Sequence, residues 1–235
     1  MNAESLLLIW TAISVGCIHT LIGPDHYLPF IALANSRHWS RFKTVSVTLF
    51  CGFGHILSSL LIAAAGLILG KSIFSIEALN SFRGDFAAWL LIIFGFSYLV
   101  YGIFEAIKNV PHKHLHVHEN GSGHVHGHVH KNGHVHVHEK KGSLTPWVLF
   151  IIFFLGPCEA LIPLVMYPAA KGHIADALFV ALFFSISTIA TMTGVVIFSL
   201  MGLSGLHLKK LERFGHAIAG SIILSSGLGV KFLGL

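Results

Sequence analysis

Long apolar stretches separated by short polar connections dominate the pattern of the chain. The apolar stretches occupy residues 6–34, 44–70, 86–107, 147–170, 174–203 and 214–235. About 20 predominantly apolar residues are enough for a helix to cross a bilayer. The pattern therefore predicts an all-α integral membrane protein with six transmembrane helices.

Two of the six stretches contain a glycine–proline pair. Gly23-Pro24 interrupts the first stretch and Gly156-Pro157 the fourth, and two further stretches follow each interruption. Proline lacks a backbone N–H and breaks a helix. Three crossings per half place the two halves in opposite orientations, and inverted repeats with broken helices are typical of transporters. The sequence thus predicts a first three-helix repeat over 1–110 and a second over 146–235, each with a broken first helix.

Composition agrees with a membrane protein. Hydrophobic residues make up 54% of the chain and charged residues 11%, with a mean hydropathy of +0.76. A soluble domain carries about 25% charged residues, so this chain lacks the charge to cover a water-facing surface. The net charge of +5 comes from short basic runs between apolar stretches, which argues against a nucleic-acid partner and indicates topology.

The lysines and arginines predict an orientation. Eleven of the fifteen lie in the connections on the side of residues 111–145, and positively charged connections stay in the cytoplasm. The expected location is the inner cell membrane, as a multi-pass protein with both termini outside. The first stretch has no preceding positive charge, so we interpret it as a membrane span and not as a cleaved signal peptide.

Ionisable residues in the first half predict a metal site. They are His19, Asp25 and His26 beside the first break, and His55 in the second stretch. An aspartate at the centre of a membrane helix costs about 2.5–3.5 kcal/mol, so such residues usually serve a function. Imidazole suits late first-row metals such as nickel, cobalt, copper and zinc. The alternatives are ordinary hydrogen bonds between helices, or a proton relay through Asp25 and His26.

The second half has Cys158 and Glu159 at the positions that correspond to Asp25 and His26. A cysteine thiolate is a ligand for soft metals, and Glu159 would complete the site or carry a coupling proton. The alternative for Cys158 is an inert, buried cysteine. Both residues are therefore candidate metal ligands.

Residues 111–145 form a histidine-rich segment. Its histidines are His112, His114, His116, His118, His124, His126, His128, His130, His134, His136 and His138. Short tracts rich in histidine bind divalent metals weakly, and the interspersed glycines favour a disordered chain. The expectation is a cytoplasmic, disordered, low-affinity metal-binding loop; the alternative is a pH-responsive linker.

These motifs resemble those of a known group of membrane proteins. The stretch His19-Thr20-Leu21-Ile22-Gly23-Pro24-Asp25-His26 resembles the H-x4-D-H signature of the nickel/cobalt transporter superfamily, with one additional residue between the first His and the Asp. The element around His55 and the histidine-rich loop are similar to those of its NicO and RcnA-like members. Gly156-Pro157-Cys158 resembles the PC motif of sulfite-exporter-like, UreH-like and CcdA/DsbD-like membrane proteins. The resemblance implies that His19, Asp25, His26 and His55 bind the ion.

The leading functional prediction is secondary transport of a divalent transition metal. Nickel or cobalt is the expected substrate, with zinc as a further candidate, and the loop in the cytoplasm favours efflux. No GxxxxGK[ST] motif occurs, and we do not expect an enzyme. The expected partners are the lipid bilayer and the metal ion, with a homo-oligomer or an accessory partner left open.

Three other functions remain open at this stage. A CcdA/DsbD-like thiol-redox membrane carrier needs two cysteines that can pair. Asp25 stands where the counterpart of Cys158 would be, so Cys17 or Cys51 would have to serve. An accessory protein that delivers metal to a metalloenzyme and, more weakly, an exporter of sulfur oxyanions are the other two.

Overall fold

The described apolar stretches fold into helices. A computed structural model describes residues 3–69, 73–108, 112–117, 123–128, 144–156, 158, 160–203 and 212–234. Its α-helices are α1 (Ala3–Ile22), α2 (Leu28–Ser36), α3 (Arg41–Ile68), α4 (Ile73–Lys108), α5 (Thr145–Leu155), α6 (Leu161–Ala170), α7 (Ile174–Leu203) and α8 (Gly215–Leu233). Short 3-10 turns cover Pro24–His26 and Glu212–Phe214.

Five of these helices, α1, α3, α4, α7 and α8, are long and apolar enough to cross a membrane. The prediction of an all-α, multi-pass membrane protein is confirmed at this level. The two other apolar helices, α5 and α6, have 11 and 10 residues. At 1.5 Å per residue each is about 15 Å long, roughly half of the hydrocarbon thickness, so neither crosses alone.

The first break has the geometry that its prolines favour. The helix α1 ends as the Gly23 N–H donates to the carbonyl of His19, and the chain then makes the 3-10 turn Pro24–His26. Pro24 begins that turn and Pro29 lies in the first turn of α2. Proline is tolerated there because the first N–H groups of a helix have no partner within it.

The second break follows α5. The chain becomes extended at Gly156, with φ −60° and ψ 140°, and α6 begins at Leu161. The last carbonyls of α5 consequently have no N–H partners in a following turn of their own helix. In a membrane such carbonyls need other donors, because no bulk water reaches them.

Close helix pairs hold the bundle together. The pairs α4–α8, α1–α7 and α3–α5 are in contact, and α6 packs on α7. Phe30, Leu149, Met192 and Ile223 are among the buried side chains at the centre. Many large apolar side chains are exposed on the outside, for example Phe198. Such an outer surface suits lipid contact and not water.

Part of the histidine-rich segment forms paired backbone strands. β1 (His112–Val117) and β2 (Gly123–His128) are antiparallel, with His114 opposite His126 in the register. This pairing differs from the unstructured loop that we predicted, because the His-x-His alternation also suits the two-residue period of a strand. The loop positions His118, His130, His134, His136 and His138 lie outside the described residues.

Candidate intramembrane site

Three imidazoles meet where the first break contacts α3. His19 comes from the end of α1, His26 from the 3-10 turn and His55 from the middle of α3. The ring centroids are 4.9 Å apart for His19 and His26, and 5.3 Å apart for His26 and His55. One potential ligand atom from each ring lies within 4.8 Å of the other two. We call these residues the histidine triad.

Hydrogen bonds fix the orientation of two of the rings. The Nδ1 atom of His26 lies 3.1 Å from the Gly23 carbonyl oxygen and 3.1 Å from Oδ1 of Asp25. The Nδ1 atom of His55 lies 3.2 Å from the carbonyl oxygen of Phe153. A carbonyl can only accept, so Nδ1 carries the hydrogen in both rings and the lone pair lies on Nε2.

The Nε2 atoms of His19, His26 and His55 are buried and have no hydrogen-bond partner within the described part of the chain. A buried polar atom without a partner costs about 1–3 kcal/mol, so three at one place require an explanation. Neutral imidazoles with one nitrogen held by a carbonyl or carboxylate are the usual form of histidine ligands to metals. The donor set therefore fits a divalent late first-row metal.

Asp25 supports the triad without joining it. Its carboxylate contacts His26, and its side chain is 30% exposed, against 4% for the side chain of His26. A cavity of about 370 Å³ reaches Asp25, His19 and His26, and its wall also includes the ion pair between Asp85 and Lys231. A smaller cavity of about 30 Å³ touches Asp25, His26 and His55, and it is large enough for a water molecule or an ion.

Arg83 of α4 joins the first half of the chain to the second break. Its Nη2 atom donates to the carbonyls of Phe154 and Gly156, each at 3.1 Å, and to Oγ of Ser58 at 2.9 Å. Its Nη1 atom donates to Oδ1 of Asn80 at 3.2 Å. One guanidinium therefore supplies donors to two carbonyls at the second break.

Cys158 lies two residues after Gly156, whose carbonyl accepts from this guanidinium. It is fully buried, and its backbone N–H donates at 3.3 Å to Oγ of Ser59, the residue that follows another Arg83 partner, Ser58. It does not belong to the group of ligand atoms formed by the triad. Glu159, the other candidate ligand of the second half, lies outside the described residues.

The other two cysteines lie inside helices. Cys17 in α1 donates its S–H to Oγ of Ser187 at 3.0 Å, because the Ser187 hydroxyl already donates to the carbonyl of Ile13. Cys51 is buried in the core of α3. All three cysteines are in the described part of the chain, and none of them is in a disulfide.

The hydropathy pattern predicts that Arg83 lies outside the membrane spans, because the third apolar stretch begins at residue 86. In the structure α4 begins at Ile73 and therefore includes Arg83. Asn80 and Arg83 are three residues apart, which puts them on one face of a helix, and this spacing was the available signal. The partners of Arg83 belong to other helices and have no local signature.

The chain belongs to the family of the cytochrome c biogenesis protein transmembrane region, whose model matches residues 27–228. Its sequence is also similar to that of the chloroplast protein FOR GROWTH AND FERTILITY 2 of Arabidopsis thaliana, with 26% identity over 99% of this chain. The chain spans 58% of the length of that relative. No solved structure matches the chain.

This membership corrects two predictions. The family is not the nickel/cobalt transporter superfamily, so the recognition based on the resemblance to the H-x4-D-H signature is wrong. The prediction of secondary nickel or cobalt transport, with efflux favoured, is overturned by the same finding. The motif around Gly156-Pro157-Cys158, which the sequence shares with CcdA/DsbD-like proteins, lies inside the matched residues, whereas His19, Asp25 and His26 precede them.

Proposed function

We propose that this chain is a thiol-redox membrane carrier and that Cys158 is its exchange cysteine. Family membership supports the class. The observation that carries the assignment is the position of Cys158, which is buried at a helix break, two residues after the Gly156 carbonyl that accepts from the Arg83 guanidinium. A positive charge close to a cysteine favours the thiolate, which is the form that attacks disulfides.

The exchange proceeds through a mixed disulfide. The Cys158 thiolate attacks one sulfur of a substrate disulfide, a Cys158–substrate S–S bond forms, and the substrate S–S bond breaks. The departing sulfur leaves as a thiolate and takes up a proton. A dithiol reductant then attacks the Cys158 sulfur of the mixed disulfide, and the second substrate sulfur leaves as a thiolate. The second thiolate of the reductant attacks the new bond, which closes the reductant's disulfide and releases Cys158 as a thiolate. The reductant supplies the two electrons, so this route uses one cysteine of this chain in place of the pair expected from the sequence.

Trapping the mixed disulfide tests this proposal. The full chain in proteoliposomes is mixed with a soluble protein disulfide, and free thiols are blocked at intervals. We expect a covalent adduct with the wild type and with Cys51→Ser, and none with Cys158→Ser. Cys51→Ser is the matched control because it removes a thiol that is as fully buried as that of Cys158. An adduct that persists in Cys158→Ser contradicts the assignment.

The proposed architecture is two inverted halves of three crossings each. α5 and α6 together form one broken crossing, as α1 and α2 do in the first half. The contacts support this arrangement, because α1 packs on α7 while its counterpart α5 packs on α3, and α4 pairs with α8. The orientation that we propose follows the lysine and arginine counts, with both termini outside an inner cell membrane.

A second candidate function, binding of a divalent metal ion, is favoured by the histidine triad. Three buried Nε2 atoms without partners lie within one small region, and Asp25 orients one of the rings. This arrangement is what a tightly held metal ion requires, whether its role is structural or part of the exchange chemistry. Delivery of metal to another protein remains one use of such a site.

Zinc binding by the purified chain tests the second candidate. The eleven loop histidines are first replaced by glutamine, so that only the membrane part contributes. We expect one zinc ion per chain by mass spectrometry, affinity lowered about 10–100-fold in Asp25→Asn through loss of its support for His26, and no retained zinc in His26→Gln. His173→Gln, which removes an exposed histidine at the start of α7, is the control. Equal zinc retention in all four proteins removes the triad as the site.

A further inference from the structure

Basic side chains from three parts of the chain converge on a second cavity. This cavity has a volume of about 500 Å³ and lies where the α2–α3 connection meets α4 and the start of α8. Its wall includes Arg37, His38, Lys43 and His216, together with Tyr101. None of these residues belongs to the wall of the cavity beside the histidine triad. We call it the basic cavity.

Arg37 is held in place within this wall. Its Nε atom donates to the hydroxyl oxygen of Tyr98 at 3.2 Å, and its guanidinium carbon lies 5.4 Å from the centre of the same ring. The Tyr98 oxygen is also 2.8 Å from Nδ1 of His216. Arg37 reaches the cavity from the α2–α3 connection and His216 from α8, but they share one anchor, which reduces the entropy that ligand binding would cost.

The backbone of the α2–α3 connection has an unusual conformation. His38 adopts a left-handed conformation with φ 51°, which is uncommon for residues other than glycine. This conformation turns the chain sharply between α2 and α3. The turn brings Lys43, whose Nζ lies 5.0 Å from the centre of the Trp39 ring, to the same cavity as Arg37. Residues in rare backbone conformations often occur at binding sites.

We propose that the basic cavity binds a phosphate group, carried by an anionic lipid headgroup or by free phosphate. Arg37 and Lys43 are permanently charged, and Glu105 is the acid that acts electrostatically on His216. The guanidinium fork matches the geometry of phosphate oxygens, and lysine, imidazole and hydroxyl groups add donors. Basic pockets between transmembrane helices at the membrane boundary bind anionic headgroups. The many exposed apolar side chains around the bundle place lipid next to this site.

Native mass spectrometry of the full chain, released from nanodiscs, tests the lipid source. Nanodiscs contain phosphatidylglycerol and phosphatidylcholine in equal amounts. We expect wild-type chain to retain one phosphatidylglycerol, and Lys43→Gln to bind it about fivefold more weakly, since one basic residue contributes that order of affinity for an anionic lipid. Arg37→Gln combined with Lys43→Gln should retain none. Lys171→Gln, which removes an exposed lysine beside Glu4 and far from the cavity in sequence, should match the wild type.

Titration with inorganic phosphate in neutral detergent tests the free source. Binding that Lys43→Gln weakens, without selective retention of phosphatidylglycerol, supports the proposal with free phosphate as the ligand. Failure of both probes, or equal losses in Lys43→Gln and Lys171→Gln, overturns it. Lys43 makes one ring contact at the surface, so Lys43→Gln should fold even if Arg37→Gln does not. These results are independent of Cys158 and of the triad.

Discussion

Polar side chains inside this bundle have two different roles, which a comparison of the histidine triad with Arg83 illustrates. The histidine triad has three Nε2 atoms without hydrogen-bond partners among the described residues, an arrangement that suits metal binding. Arg83 in contrast donates to protein acceptors, two of which are carbonyls at the second break. Arg83 is therefore a positioning residue. Because Cys158 follows Gly156 by two residues, Arg83 also links the shape of the break to the proposed chemistry.

Replacement of Arg83 should therefore affect stability and thiol reactivity separately. Arg83→Met leaves carbonyls of α5 unsatisfied, and each buried group without a partner costs about 1–3 kcal/mol. Arg83→Lys keeps the charge but loses the forked donors. We expect both variants to unfold at lower temperature in detergent. Alkylation of Cys158 at neutral pH, measured with Cys17 and Cys51 replaced, should slow strongly in Arg83→Met and much less in Arg83→Lys.

The two variants separate the possible roles of the guanidinium. Equal alkylation rates in Arg83→Met and Arg83→Lys would show that charge does not control Cys158, and Arg83 would then be structural only. Lys231→Met provides a control, because it removes another cation of the helical bundle, which pairs with Asp85.

Local sequence patterns predicted the first site better than the second. His19, Asp25 and His26 lie within eight residues of one another beside a visible break, so their proximity followed from the chain itself. The pairing of Arg83 with the second break joins residues more than seventy positions apart. The four polar residues Glu77, Asn80, Arg83 and Asp85 also lowered the local hydropathy, so α4 was predicted to begin late. The family predicted from the sequence was wrong, because short His and Gly-Pro motifs indicate a kind of site and do not identify a protein family.

At the scale of helices, the α4–α8 pair depends on small residues. A Cβ atom added at Gly102 would collide with the backbone nitrogen of Ala217, and one added at Gly220 with that of Leu99. Lipid tails are as apolar as the side chains, so burial of apolar area drives helix association weakly in a membrane. Van der Waals packing at small residues, where the two backbones approach closely, stabilises the helix pair instead. The contact between α4 and α8 thus depends on the close fit of their surfaces at these glycines.

A larger residue at this contact should separate the two helices. Gly220→Val introduces a branched side chain where no space exists, and overpacking of this kind typically costs about 1–3 kcal/mol. We expect a lower midpoint of thermal unfolding in detergent. Gly194→Ala in α7 is the matched control, since a Cβ atom there meets nothing within 4 Å. A midpoint for Gly220→Val equal to that of Gly194→Ala would mean that α4 and α8 do not pack this closely.

At the scale of the whole molecule, contacts between distant segments indicate which helix ends share a side of the membrane. Glu4 at the start of α1 pairs with Lys171 at the end of α6. Arg37 after α2 contacts Tyr98 late in α4, and Tyr98 in turn contacts His216 at the start of α8. The beginning of the first half thus meets the end of the second broken crossing, as expected for halves of opposite orientation.

Labelling of single cysteines tests this topology. In a chain with Cys17, Cys51 and Cys158 replaced, Glu4→Cys and Arg41→Cys place one exposed thiol at the start of α1 and one at the start of α3. Loss of the surface pair of Glu4 with Lys171 costs only about 0–1 kcal/mol. A membrane-impermeant maleimide added to intact expressing cells should label position 4 and not position 41, because α1 and α2 together make one crossing. Labelling of position 41 alone would reverse the orientation, and labelling of both would mean that α2 returns to the side from which α1 entered.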